Sequence, residues 1–204
     1  MRRSIVAIAV VLGLALTGCG NKSASPSASE SDVVISESVD PAVSYAPNDI
    51  DKDAATAYRD ALNKSVESAK ANGLTELWSD ETGALETVLA WDAAKNIAVQ
   101  SDLINEDTEE IDLEGLMPQS LLDELDSLES NAGDDFGSVK STGKGVFVIT
   151  NFIEDINYVT TYEVDSQGRI AKATSMADGE AAGTAVFEYT VTKEGKAALA
   201  AVAE

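Results

Sequence analysis

Histidine is absent from the chain, cysteine occurs once, and 14 lysines and arginines stand against 36 aspartates and glutamates. Each shortage removes a class of chemistry. Without imidazole there is no Ser-His-Asp or Cys-His nucleophile and no histidine metal site. The single thiol, Cys19, cannot close an intrachain disulfide, and metal sites and redox pairs normally need more than one. A net charge of −22 argues against nucleic acid, whose phosphates need clustered Lys and Arg. It also argues against holding an anionic membrane by charge. Carboxylate-pair hydrolysis stays formally open, but among 36 acids a pair at any one spacing carries no information. The composition therefore points to a non-enzymatic protein with no cofactor and no metal.

Long apolar runs are also missing. The longest, Ile5 to Leu16, is short of the ~20 residues that a spanning helix needs. It follows Arg2 and Arg3 and leads into small residues, which is the layout of an export signal over residues 1–18. The stretch Leu16-Thr17-Gly18-Cys19 resembles the lipobox of bacterial lipoprotein precursors. That resemblance implies a diacylglyceryl group on Cys19 and cleavage just before it. Two or more acyl chains meet the requirement for stable anchoring, so the expected location is the extracytoplasmic face of the cell membrane. Residues 19–47 hold the lipidated cysteine and a Ser-, Ala- and acid-rich stretch broken by Pro26, Pro41 and Pro47. Such a segment buries too little apolar surface to fold and reads as a tether.

Residues 48–204 suit one domain. Ala55, Tyr58, Leu62, Val66 and Ala69 recur at helical spacing, with Asp49 or Asp51 as a cap and Asn72-Gly73 as a stop. LTELWS, ALETVLAWD and NIAVQSDL follow as short strands between turn-rich breaks. A second amphipathic helix carries Leu121, Leu122, Leu125 and Leu128, with Pro118 near its start and Gly133 as its stop. Four more strands are predicted in KGVFVITNFIE, NYVTTYEVD, RIAKATSM and TAVFEYTVT, and EGKAALAAVAE closes as a short helix. The expected fold is α+β: an antiparallel sheet of about seven strands, able to curve into a half-barrel, with helices on one face.

Between Asn96 and Val139 lie 13 acids and no Lys or Arg. Its NEDTEEIDLEGL segment fails the calcium-loop template, with Glu110 where the turn glycine belongs and Leu116 where the bidentate Glu belongs. The tract reads as a solvated acidic loop and helix face, with Asp107, Glu109, Glu110 and Asp112 as the surface that a basic protein partner would meet. Asp165-Ser166-Gln167-Gly168 is explained by a hairpin turn alone. KGVFVITNFIE is apolar on both faces, and a strand of that kind is covered twice or faces an apolar ligand. Trp78, Leu89, Trp91, Phe147, Ile149 and Phe152 are the residues expected to line such an apolar surface.

The order of elements, carried by the helix Ala55–Ala71 running into LTELWSDETGALETVLAWD and by NYVTTYEVDSQGRIAKATS followed by AVFEYTV, resembles the lipoprotein-carrier half-barrels. That group comprises periplasmic lipoprotein chaperones and mycobacterial-type envelope lipoproteins that carry glycolipids. The resemblance implies a sheet wrapped around helices with an apolar cavity between them. The expectation is a membrane-anchored envelope lipoprotein that binds or carries a lipid-like ligand. The alternative is an accessory lipoprotein with a solid core that meets a basic protein through its acidic face.

Overall fold

A computed structural model describes residues 49–130, 137–153 and 156–202. The export signal, Cys19, the tether and the Gly133 stop lie outside the described residues. The first helix, α1 (Lys52–Asn72), starts where the Asp51 carboxylate accepts from the backbone N–H groups of Asp53 and Ala54. It ends at Gly73, whose φ of +84° suits a residue without Cβ. A Cβ there would also sit 2.7 Å from the Trp91 carbonyl oxygen.

The strands are β1 (Leu74–Ser79), β2 (Leu85–Asp92), β3 (Ile97–Asp102), β4 (Asp107–Ile111), β5 (Ser138–Gly143), β6 (Val146–Ile153), β7 (Ile156–Val164), β8 (Ile170–Ala177) and β9 (Glu180–Glu188). They form one antiparallel, open, curved sheet in the order β4-β3-β2-β1-β9-β8-β7-β6-β5. Two meanders, β1–β4 and β5–β9, are thus stitched together by the β1–β9 pairing. The α+β fold is as the sequence predicts, with two strands more. The additional β4 and β5 are the two edges. Edge strands have one free side and need little apolar patterning, so DTEEI and SVKSTG carry no clear strand signal. An Asp178-Gly179 turn, both residues at positive φ, closes the β8–β9 hairpin and starts β9 earlier than the apolar run.

Helix α1 lies over one face of the sheet, here the inner face. Phe147, Tyr162, Ala173, Ala185 and Trp78 form a register row across β6, β7, β8, β9 and β1. The small Ala173 and Ala185 leave room for the helix, and Tyr58 fills the space beside them, its ring centre 5.3 Å from Phe147 and 5.2 Å from Tyr162. The fully buried Ser65 hydroxyl donates to the Ala61 carbonyl at 2.8 Å and accepts from the Ile170 N–H at 2.9 Å. The Tyr189 hydroxyl donates to the Ile170 carbonyl at 2.7 Å.

The second helix, α2 (Met117–Ser130), packs on α1 and buries Leu121, Leu125 and Leu128, while Leu122 is half-buried. Arg59 of α1 reaches Asp126 and Glu129 of α2 at 2.5 and 2.6 Å. The third helix, α3 (Lys193–Ala201), differs from expectation by covering the opposite face, where Val88, Ala90, Val99 and Ala198 form a separate small core with Leu77. The reason is the run Val88-Leu89-Ala90-Trp91, which is apolar on both sides of β2 and so needs two covers.

Ser65 ties α1 to the sheet backbone, so Ser65→Ala should leave the buried Ile170 N–H unpaired. The expected loss is about 1–3 kcal/mol, read as a lower urea midpoint with an unchanged slope. Ser65→Thr, which keeps a hydroxyl, should lose less.

Candidate functional site

The last turns of α1, the start of β1, the end of β2, the β4–α2 connection and the start of α2 line a half-open pocket of about 360 Å³. Leu74 and Trp91 sit opposite each other in register on the inner face. Val66 and Ala69 continue the apolar stripe of α1 over them. The far wall is a single 3₁₀ turn, Leu113–Gly115, followed by Leu116 and Pro118. Lys70, Glu114, Gln119 and Asp123 add polar groups to the lining. The pocket exists because α1 stops at Gly73. Beyond that point the 3₁₀ turn and the first residues of α2 form the opposite wall.

Trp91 is only 7% exposed, and its indole N–H has no acceptor among the described residues. An unpaired buried donor of this kind costs about 1–3 kcal/mol.

Of the six residues expected to form an apolar ligand surface, Trp91 alone lines this pocket. Leu89, Phe147 and Ile149 are buried in the main core, and Trp78 is half-buried against it. Between α1 and β6–β7 the space is filled by Tyr58, which packs on Phe147 and Tyr162. Phe152 is 40% exposed and falls, by strand alternation, on the face opposite Phe147 and Ile149. It belongs to no shared surface with them.

The acidic residues are likewise redistributed. Asp107, Glu109 and Glu110 are exposed on β4, paired with Asp102, Gln100 and Val99 respectively, and Asp112 is exposed just beyond the strand. Asp107 and Glu109 therefore share one side of the edge strand and Glu110 points to the other. They make a two-sided acidic edge, where a loop and helix face was expected.

A buried polar group that sequence reading passed over is Glu76. It shares the inner side of β1 with Leu74 and Trp78, lies between Leu89 and Phe187, and is fully buried. The Trp78 indole N–H donates to one carboxyl oxygen, and the other has no partner. Burial pushes its pKa from the ordinary 4.5 to about 8, against the opposing pull of that hydrogen bond. The hydroxyl pKa values of Tyr58 and Tyr162 are raised by burial and by the nearby Glu124 carboxyl. Burial raises Glu124 as well, with Asn151 donating to it. None of Glu76, Tyr58, Tyr162 and Glu124 lines the pocket. The parity signal for Glu76 was available, since Leu74, Glu76 and Trp78 alternate with Thr75, Leu77 and Ser79. Among the described residues no three Asp, Glu or Cys side chains converge to hold a metal ion.

Glu76 sets a pH dependence of stability. The folded chain keeps its proton between pH 4.5 and about 8, where the unfolded chain loses it. Stability from this group is complete below about 4.5 and falls as pH rises to about 8, at roughly 1.4 kcal/mol per pH unit within that window. Glu76→Gln should flatten the slope of unfolding free energy between pH 5 and 8; a slope equal to that of the parent would show that Glu76 ionises freely in the fold. The chain matches no protein-family model and no curated protein.

Proposed function

We propose that the chain is a membrane-anchored envelope lipoprotein, non-enzymatic, whose folded domain holds a single apolar chain or ring system in the pocket beside Trp91. The observation that supports this most directly is the pocket itself, about 360 Å³ with Val66, Ala69, Leu74, Trp91, Leu113 and Leu116 in its walls. Its size lies at the lower end of small-molecule sites. At about 30 Å³ per water-sized group, it accommodates roughly a dozen such groups, enough for one medium-length acyl chain. A multiply acylated glycolipid exceeds that capacity, so the ligand is smaller than the cargo that the carrier resemblance implies.

The polar lining sharpens the chemistry. Glu114 and Asp123 outnumber Lys70, and Gln119 is neutral. That balance disfavours a fatty-acid carboxylate and suits a neutral amphiphile such as an alcohol or amide. The acyl anchor on Cys19 and the export signal support a site of action at the membrane surface, where such ligands are concentrated.

Two tryptophans make the pocket directly observable. Titrating the full chain with 11-bromoundecanol, a neutral single-chain quencher, should quench emission saturably at one probe per chain. The Trp78→Phe variant should keep that response and Trp91→Phe should lose it. Quenching that never saturates, or that survives Trp91→Phe unchanged, overturns the reading. Anchoring is tested separately. Cys19→Ser should leave an uncleaved precursor or a soluble product, whereas a variant that still fractionates with membranes at the parent's mature mass would show that Cys19 is no anchor.

A further inference from the structure

We propose that the open β4 edge and the apolar tip beside it dock an extended, lysine- and arginine-bearing segment of a partner protein, which adds a strand to β4. This rests on a different part of the domain from the pocket and does not depend on it.

The two edges of the sheet are treated differently. At β5, Ile50 forms a bridge with Val139, the Asp51 N–H donates to the Val139 carbonyl at 3.0 Å, and Lys140 pairs with Asp49 at 2.5 Å. A register shift between Ser141 and Gly143 bends that edge further. These are the usual protections against strand addition: cover, a lysine and a bulge. Strand β4 lacks these three and is guarded only by its shortness and by the negative charge of Asp107, Glu109 and Glu110, which repels a like-charged edge but not a basic one. It pairs with β3 in unbroken register, contains no proline or lysine, and no described strand lies on its outer side.

Beside that edge the chain exposes apolar side chains. Ile104 is 65% exposed, Leu103 44% and Leu85 37%. They meet at one end of the meander, because the Leu103 N–H donates to the Glu86 carbonyl at 2.8 Å and so brings the β3–β4 turn against the start of β2.

Charge selects the occupant. Residues 74–114 carry twelve acids and one lysine, Lys95, which sits at the far end of β2 paired with Asp92 at 3.3 Å. Asp107 stands directly opposite Asp102 in the ladder, a like-charge pair that repels. Burial and then the neighbouring Asp80, Glu81 and Asp102 raise the pKa of Glu86. A second copy of this chain pairing β4 to β4 would set acids against acids, and an anionic lipid surface would meet the same repulsion. A strand bearing alternate basic residues relieves it, and its backbone satisfies the open N–H and C=O row of β4. The acids thus serve to exclude self-association while leaving the edge available to a partner of opposite sign.

The test uses the full chain and three labelled decapeptides in fluorescence anisotropy: alternating Lys-Val, the same peptide N-methylated on alternate backbone nitrogens, and alternating Glu-Val. The Lys-Val peptide should bind in 0.1 M NaCl and weaken about tenfold in 1 M NaCl, where screening reaches about 3 Å. N-methylation should cost a further tenfold or more through the lost ladder bonds, on the order of that expected for one or two of them. The Glu-Val peptide should not bind. Glu109→Gln with Glu110→Gln, and separately Ile104→Ser, should each weaken the Lys-Val peptide several-fold, all three positions being exposed. Equal binding of the N-methylated peptide, or unchanged binding by these variants, overturns the proposal.

Discussion

The seat of α1 on the sheet is the interaction from which the rest of the molecule takes its place. An open nine-stranded sheet presents one broad inner face that water would otherwise reach, and α1 is the element that fills it. Tyr58 fixes the position of the helix sideways, against Phe147 and Tyr162. Ser65 fixes it along its axis, since one buried hydroxyl hydrogen-bonds both the helix carbonyl of Ala61 and the strand N–H of Ile170. Helix α2 then rests on α1. Its Leu121, Leu125 and Leu128 supply the binding energy, because ion pairs as exposed as Arg59 with Asp126 and Glu129 contribute little. The pocket follows from the same seat, since it begins where the helix ends at Gly73.

Charge is divided between inside and outside in a consistent way. The outer acids lie in water and give the surface its negative charge; several of them, such as Asp80 and Asp102, also hold turns by accepting backbone N–H groups. The Thr82 hydroxyl, followed by the backbone N–H groups, lowers the pKa of Asp80, and the Asn105 N–H and side-chain amide lower that of Asp102. Inside, Glu76 cannot be ionised at neutral pH without losing hydration that one indole N–H does not replace. An acid on the inner face is therefore tolerated only as a neutral group. This makes the interior of the domain more sensitive to alkaline conditions than its strongly acidic surface implies.

Much of the architecture was legible in the sequence, for reasons that can be traced to particular residues. The helices announce themselves through stripes such as Ala55, Tyr58, Leu62 and Ala69, and the inner strands through alternation between turn signals. The edges β4 and β5 were not legible, because β4 is exposed or half-buried throughout and β5 buries only Ser138 and Val139, so neither displays an apolar alternation. The side on which α3 lies was hidden for another reason: nothing in EGKAALAAVAE distinguishes the two faces of a sheet, and the decisive signal sat about a hundred residues away in Val88-Leu89-Ala90-Trp91. The pocket was legible only through Trp91. Its other walls come from separate segments whose residues look like ordinary core, and the aromatic strand expected to form a cavity instead receives Tyr58.

The two proposed sites share a strand but not a residue. Trp91 stands near one end of β2 and Leu85 at the other, six residues apart, which at about 3.3 Å per residue is roughly 20 Å. Between them, β2 is held on both sides by β1 and β3, with Leu89 and Trp91 in the main core on one face and Val88 and Ala90 against α3 on the other. A strand so enclosed has no second arrangement to adopt, and coupling between distant sites requires an element with two. Occupation of the pocket and docking at the β4 edge are accordingly independent events on one rigid meander. On the two proposals the domain would act as a platform, with a small apolar ligand at one end and a basic partner at the other.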